Sequence, residues 1–156
     1  MVENIIIEMI ELTEKKLESL DVILNLKSKQ KEVIDQENMD DLSTIIDSIQ
    51  EQINIIDKID SLYILKLNEL KSSTGMESIA QLNNEMYPKS RVLQDKLSKT
   101  NSKLQLIKAL DDENNHLINE KFQETKDMLK NLRQGKKMAK GYFTEYNGTM
   151  FIDERN

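Results

Sequence analysis

The stretch "ENNH", Glu113 to His116, has the Glu-x-x-His spacing that places a carboxylate and an imidazole one turn apart on a helix. In di-iron carboxylate bundles that pair, supplied twice and joined by two more glutamates, holds the metal. The chain has a single histidine, so one protomer cannot supply the second pair. The spacing therefore reads as a solvated polar patch. Neighbouring carboxylates recur at Asp40/Asp41 and Asp111/Asp112. Such pairs run acid–base chemistry only inside a cleft that perturbs their pKa values. With no cysteine there is no thiolate ligand, disulfide or thiol nucleophile. No glycine-rich phosphate loop or nucleophile elbow is present either. The sequence points to no catalytic residue, no metal and no cofactor, and an enzyme is not expected.

What remains able to act is apolar. The tail "GYFTEYNGTMFID" holds four of the chain's seven aromatic residues, Tyr142, Phe143, Tyr146 and Phe151. Glycines at 141 and 148 space them. Two readings fit: an end that is disordered or folded back on the bundle as a strand-like strip, or a docking strip whose aromatic anchors and Ile152 become buried in a partner.

Charge narrows the choice of partner. Twenty-two Lys and Arg against 28 Asp and Glu give a net charge of −6, with the signs interspersed. Phosphate binding needs clustered cations, and "GKKMAK" is a short cluster, so nucleic acid is not expected. The start, "MVENIIIEMIEL", lacks the basic region of a signal peptide. No stretch approaches the ~20 apolar residues of a membrane span. The expectation is a soluble cytoplasmic protein.

The positioning elements are helices. One proline and few valines argue for an all-α protein, although 18 isoleucines pull toward strands. Their spacing decides for helix. Ile6, Ile10, Thr13, Leu17, Leu20, Leu24 and Ile34 follow alternating steps of four and three, broken by Lys27 and Lys31. Ile5, Met9, Leu12, Ile23 and Leu26 widen that stripe, which suits a helix packed against two neighbours.

A second stripe runs Met39, Leu42, Ile46, Ile49, Ile53, Ile56, Asp60, Tyr63, Leu67, Leu70, with Asn38 as its N-cap. A third runs Leu93, Leu97, Thr100, Leu104, Ile107, Asp111, Asn114, Ile118, Lys121, Thr125, Met128, Leu132. Ser72 to Gly75 reads as a turn, Pro88 as a helix start and Gly135 as a helix stop. The spacing thus predicts an antiparallel bundle over residues 1–135. Its helices fall at about 2–35, 39–71, 76–86 (short) and 88–133, and a flexible tail covers 136–156.

At 1.5 Å per residue the third helix is the longest, and two shorter partners cannot cover it. Its apolar face either caps the bundle, with Asp111 and Asn114 as register devices, or forms a groove for another chain's amphipathic helix. The candidate partner-binding residues are Leu104, Ile107, Leu110, Leu117, Ile118, Phe122, Met128 and Leu129, with Tyr142, Phe143, Tyr146, Phe151 and Ile152 in the tail. Met9, Met39, Met76, Met86 and Met128 sit at apolar-looking positions and are expected more in the core than outside it.

"VILNLKSKQKEVIDQENMDDL", "IIDSIQEQINIIDKID" and the closing "GYFTEYNGTMFIDERN" together resemble the FlgN-like flagellar type III export chaperones over nearly the whole chain. "FIDER" stands where that family usually ends on a more basic stretch. The resemblance implies a small helical cytoplasmic chaperone. It would bind the C-terminal helices of hook–filament junction proteins, prevent their premature assembly, and deliver them to the export gate or the export ATPase complex. The other reading of the stripes is a structural coiled coil that self-associates, at the simplest as a homodimer.

Overall fold

The computed structural model describes residues 1–147, with side-chain surroundings for residues 1–135. It contains three long helices: α1 (Val2–Asp35), α2 (Met39–Thr74) and α3 (Lys89–Asn147). A single 3₁₀ turn, Ile79–Gln81, lies between α2 and α3. No strand occurs among the described residues. The chain divides into two units, Met1–Asn114 and Asn115–Asn156.

Local chemistry sets the helix ends. Beyond α1 the chain reverses at Glu37, whose φ of 56° lies in the left-handed region. There the Glu37 and Asn38 amides donate to the carbonyls of Ile34 and Val33, so part of the helix's open end is satisfied. Asn38 then caps α2: its Oδ1 accepts the Asp41 amide at 3.2 Å. Asp40 and Asp41 occupy the first turn, where the helix dipole favours negative charge. α2 closes on Gly75 at φ 73°, the amide donating to the Lys71 carbonyl at 2.8 Å.

Within the first unit α1 is the shared helix. It runs antiparallel to α2, pinned by Glu8–Lys66 at 2.6 Å and Lys16–Asp60 at 2.8 Å. It runs parallel to α3, pinned by Glu14–Lys96 at 3.2 Å, Asp21–Lys103, Lys27–Asp111 at 2.6 Å and Lys31–Glu113 at 2.6 Å. Along this seam the acid lies on α1 in the first two pairs and on α3 in the last two. The two-sided packing explains the width of the α1 stripe: ten of its residues are buried, from Ile5 to Ile34.

The core gathers at one end of this unit. Ile5, Ile6, Met9 and Ile10 of α1 meet Leu70 of α2, Leu82 of the connection and Leu93 of α3. Ile6, Met9 and Leu93 have no exposed surface. Burying each removes apolar area worth about 2–3 kcal/mol.

Three expectations are corrected. The short helix at 76–86 is absent, and only Ile79–Gln81 make a turn. Asn83 Oδ1 accepts the amides of Glu85 and Met86, closing a side-chain turn in place of a helical one. Met76, Ile79 and Tyr87 meanwhile pack on the core, and Gln94 of α3 donates to the Ile79 carbonyl at 3.0 Å. Second, Gly135 does not stop α3, which continues to Asn147. Glycine permits a stop but does not impose one where its neighbours are good helix formers. Third, of the methionines expected inside, Met9 is buried and Met76 packs on the core, but Met39, Met86 and Met128 are 64–68% exposed.

Candidate functional site

The polar groups with motif spacing are occupied by structural contacts. Glu113 pairs with Lys31, whose ammonium is held above its ordinary pKa by that carboxylate. His116 is largely exposed and lies 3.1 Å from Glu120. Asp111 holds Lys27. Asn114 is buried, its amide nitrogen donating to the Lys27 carbonyl at 3.0 Å and to Gln30 Oε1 at 3.1 Å, while its Oδ1 has no partner. Asp111 and Asn114 thus tie α3 to α1, as one of the two readings of that helix has it. No group of three metal-ligating side chains occurs among the described residues.

The apolar candidates fall into two sets. In the first unit Leu104 and Ile107 line an open groove of about 590 Å³ between α2 and α3. Its floor is Leu20 and Ile23 of α1, and its opposite wall is Ile49, Ile53 and Ile56 of α2. The ion pairs Lys16–Asp60 and Lys27–Asp111 lie among its lining residues. Leu110, half-buried, is not part of that lining. The α2 wall was missed in the sequence because Ile53 looks like a core isoleucine. It is 39% exposed. Nearby, Thr13 and Thr100 line a cavity of about 50 Å³, each hydroxyl donating to the carbonyl one turn earlier in its own helix. Tyr63 also lines it, and burial pushes its phenol up to about 12.

The second set lies on α3 beyond Asn114. Leu117 and Ile118 are half-buried, whereas Phe122, Met128, Leu129 and Leu132 are 68%, 64%, 49% and 59% exposed. Their spacing continues the buried stripe with one adjustment. From Leu93 to Asn114 the steps alternate between four and three; then Asn114, Ile118 and Phe122 follow in two steps of four, and Thr125, Leu129 and Leu132 resume the alternation. Such an extra four-residue step shifts the phase of a stripe. The apolar line therefore passes through Phe122 and Leu129, while the unshifted spacing passes through Lys121 and Met128. Tyr142, Phe143 and Tyr146 fall on the last turns of α3, and their side chains lie outside the described residues, as do Phe151 and Ile152 entirely.

A helical protein without a catalytic cluster among its described residues, carrying a long third helix with an exposed apolar line, matches one family model. The FlgN protein model aligns with residues 1–146, nearly the entire chain. The chain belongs to the FlgN family. This is a family of flagellar export chaperones and not of enzymes. Searches of the curated proteins and of the solved structures return no match. In this FlgN-family chain Glu113 and Asp111 serve as scaffold contacts, pairing with Lys31 and Lys27 of α1. No helix among the described residues is long and apolar enough to cross a membrane.

Proposed function

We propose that this FlgN-family protein is a cytoplasmic chaperone that holds a C-terminal amphipathic helix of a hook–filament junction protein on α3, keeps that client from assembling early, and delivers it to the flagellar export gate or ATPase complex. One observation carries the reading: the stripe whose members Leu93, Thr100 and Asn114 are buried continues along the sequence as Phe122, Leu129 and Leu132, all about half exposed or more. Phe122, Met128 and Leu132 are each more than half exposed. An apolar helix face left in water is the usual receptor for another amphipathic helix.

Ile118, Phe122, Met128 and Leu129 would provide the central contacts, with Leu117 at the edge. Leu104, Ile107 and Leu110 would be further client contacts, and Tyr142, Phe143, Tyr146, Phe151 and Ile152 would add aromatic and apolar anchors. The test is the double substitution Phe122→Ala, Leu129→Ala. Circular dichroism and melting should stay as they are, while calorimetric affinity for a hook–filament junction protein should fall by more than about 2 kcal/mol, the scale of interface hot spots. Unchanged affinity would remove α3 from the client site.

A further inference from the structure

We propose that the exposed stripe of α3 selects a helix with acidic edges and rejects a second copy of this chain. The inference rests on the reading of α3 as the client surface and names the chemistry of that client.

With Ile118, Phe122, Thr125, Leu129 and Leu132 as the seam, the positions bordering it are Asn119, Lys126 and Arg133 on one side and Lys121, Met128 and Gly135 on the other. Every charged residue at those border positions is a cation. The acids of this stretch, Glu120, Glu124 and Asp127, lie away from the seam, and Asp127 accepts the Gln123 side-chain amide at 3.1 Å. Border charges set partner choice when helices pair along a seam.

Two copies of this stripe would repel. A parallel, in-register pair sets Lys121 of one copy against Lys126 of the other. An antiparallel pair sets the Lys126/Arg133 border against its own copy. Like charges so placed act as negative selection against self-pairing. The seam inside the bundle is the opposite case, because the same kind of border there joins Lys96 to Glu14 and Lys103 to Asp21. The wider charge distribution agrees. Residues 121–140 contain seven Lys and Arg and two acids, a net +5, so the other 136 residues carry −11. An acidic helix is therefore attracted to this one stretch of an acidic protein.

The experiment uses the full chain and two synthetic amphipathic helices with identical apolar residues, one bordered by glutamates and one by lysines. Fluorescence anisotropy should show the glutamate-bordered helix binding at least about tenfold tighter, with the gap closing as salt rises from about 0.1 to about 0.5 M. The triple variant Lys121→Glu, Lys126→Glu, Arg133→Glu should reverse the preference. Lys126→Ala alone should narrow it by about threefold without disturbing the helix.

Equal binding of the two helices would overturn the charge rule and leave the client reading in place. Binding of neither helix, together with client affinity indifferent to Phe122→Ala, Leu129→Ala, would overturn both. A dimer in sedimentation velocity that those two alanines dissolve would show the stripe to be a self-association seam. Binding to phosphatidylcholine vesicles carrying about one third phosphatidylserine, with neither helix bound, would make the cationic border a membrane contact instead.

Discussion

The end of the bundle around Ile6, Met9 and Leu93 and the stretch of α3 from Ile118 to Leu132 share a helical apolar spacing and differ in burial. At the first, α1, α2, α3 and the connection all contribute side chains, and the central residues have no exposed surface. At the second, Phe122, Met128 and Leu132 are each more than half exposed. The spacing of apolar residues states that a helix has a face to cover. It does not state whether the cover is the same chain or another. In the first region the cover is internal, and its disruption should cost stability. In the second the proposed cover is a client, and disruption of that face should cost binding.

The largest test of that contrast is a pair of leucine truncations. Leu93→Ala should lower unfolding free energy by about 2–5 kcal/mol in urea titration, because it opens a cavity among fully buried neighbours. Leu132→Ala should change it by no more than about 0.5 kcal/mol. Comparable losses at both sites would mean that the outer stripe is also core.

Two glycines give a smaller version. An added Cβ meets no atom within 4 Å at either Gly75 or Gly135. Gly75 holds φ at 73° and caps α2, so Gly75→Ala should cost about 1–2 kcal/mol. Gly135 sits inside α3, so Gly135→Ala should raise helix content and add up to about 1 kcal/mol. A loss at Gly135 would contradict the continuous helix.

The smallest effect concerns pH. Burial raises Tyr63 from 10.0 to about 12. Below pH 10 both folded and unfolded chains keep the phenolic proton. Between 10 and 12 the unfolded chain releases it first, so stability falls as pH rises through that window. Tyr63→Phe should flatten the fall in denaturation midpoint above pH 10. An unchanged slope would place Tyr63 outside the packed end.

The first two helices were legible because each has a long apolar stripe, interrupted only at Lys27 and Lys31 in α1 and at Asp60 in α2, and because α2 has clear end chemistry: Asn38 caps it as its position suggested, and the turn at Ser72 to Gly75 needed only an extension of α2 to Thr74. The 76–86 segment was misread because its apolar residues answer to the core and not to one another, which no local period reveals. Along α3 the phase shift after Asn114 hid the better apolar line, since Lys121 and Met128 also fit a regular spacing. The exposed wall of the groove on α2 left no local mark, because Ile49 and Ile53, one turn apart and chemically alike, differ only in what lies above them.

The contact between Asn114 and Gln30 guards against a mistake that the ion pairs alone would permit. Were α3 to slide one heptad along α1, Glu14 could still meet Lys103, and Lys31 could still meet Glu120. Half of the charged seam would survive the error. Gln30 would then face Lys121, and Asn114 would meet the Leu20 carbonyl in place of that of Lys27 but Ile23 in place of Gln30, so the bond between the two side-chain amides would be lost. A slipped assembly, tolerable to leucines and surface charges, is thereby marked by two side-chain amides, Asn114 and Gln30, that no longer meet.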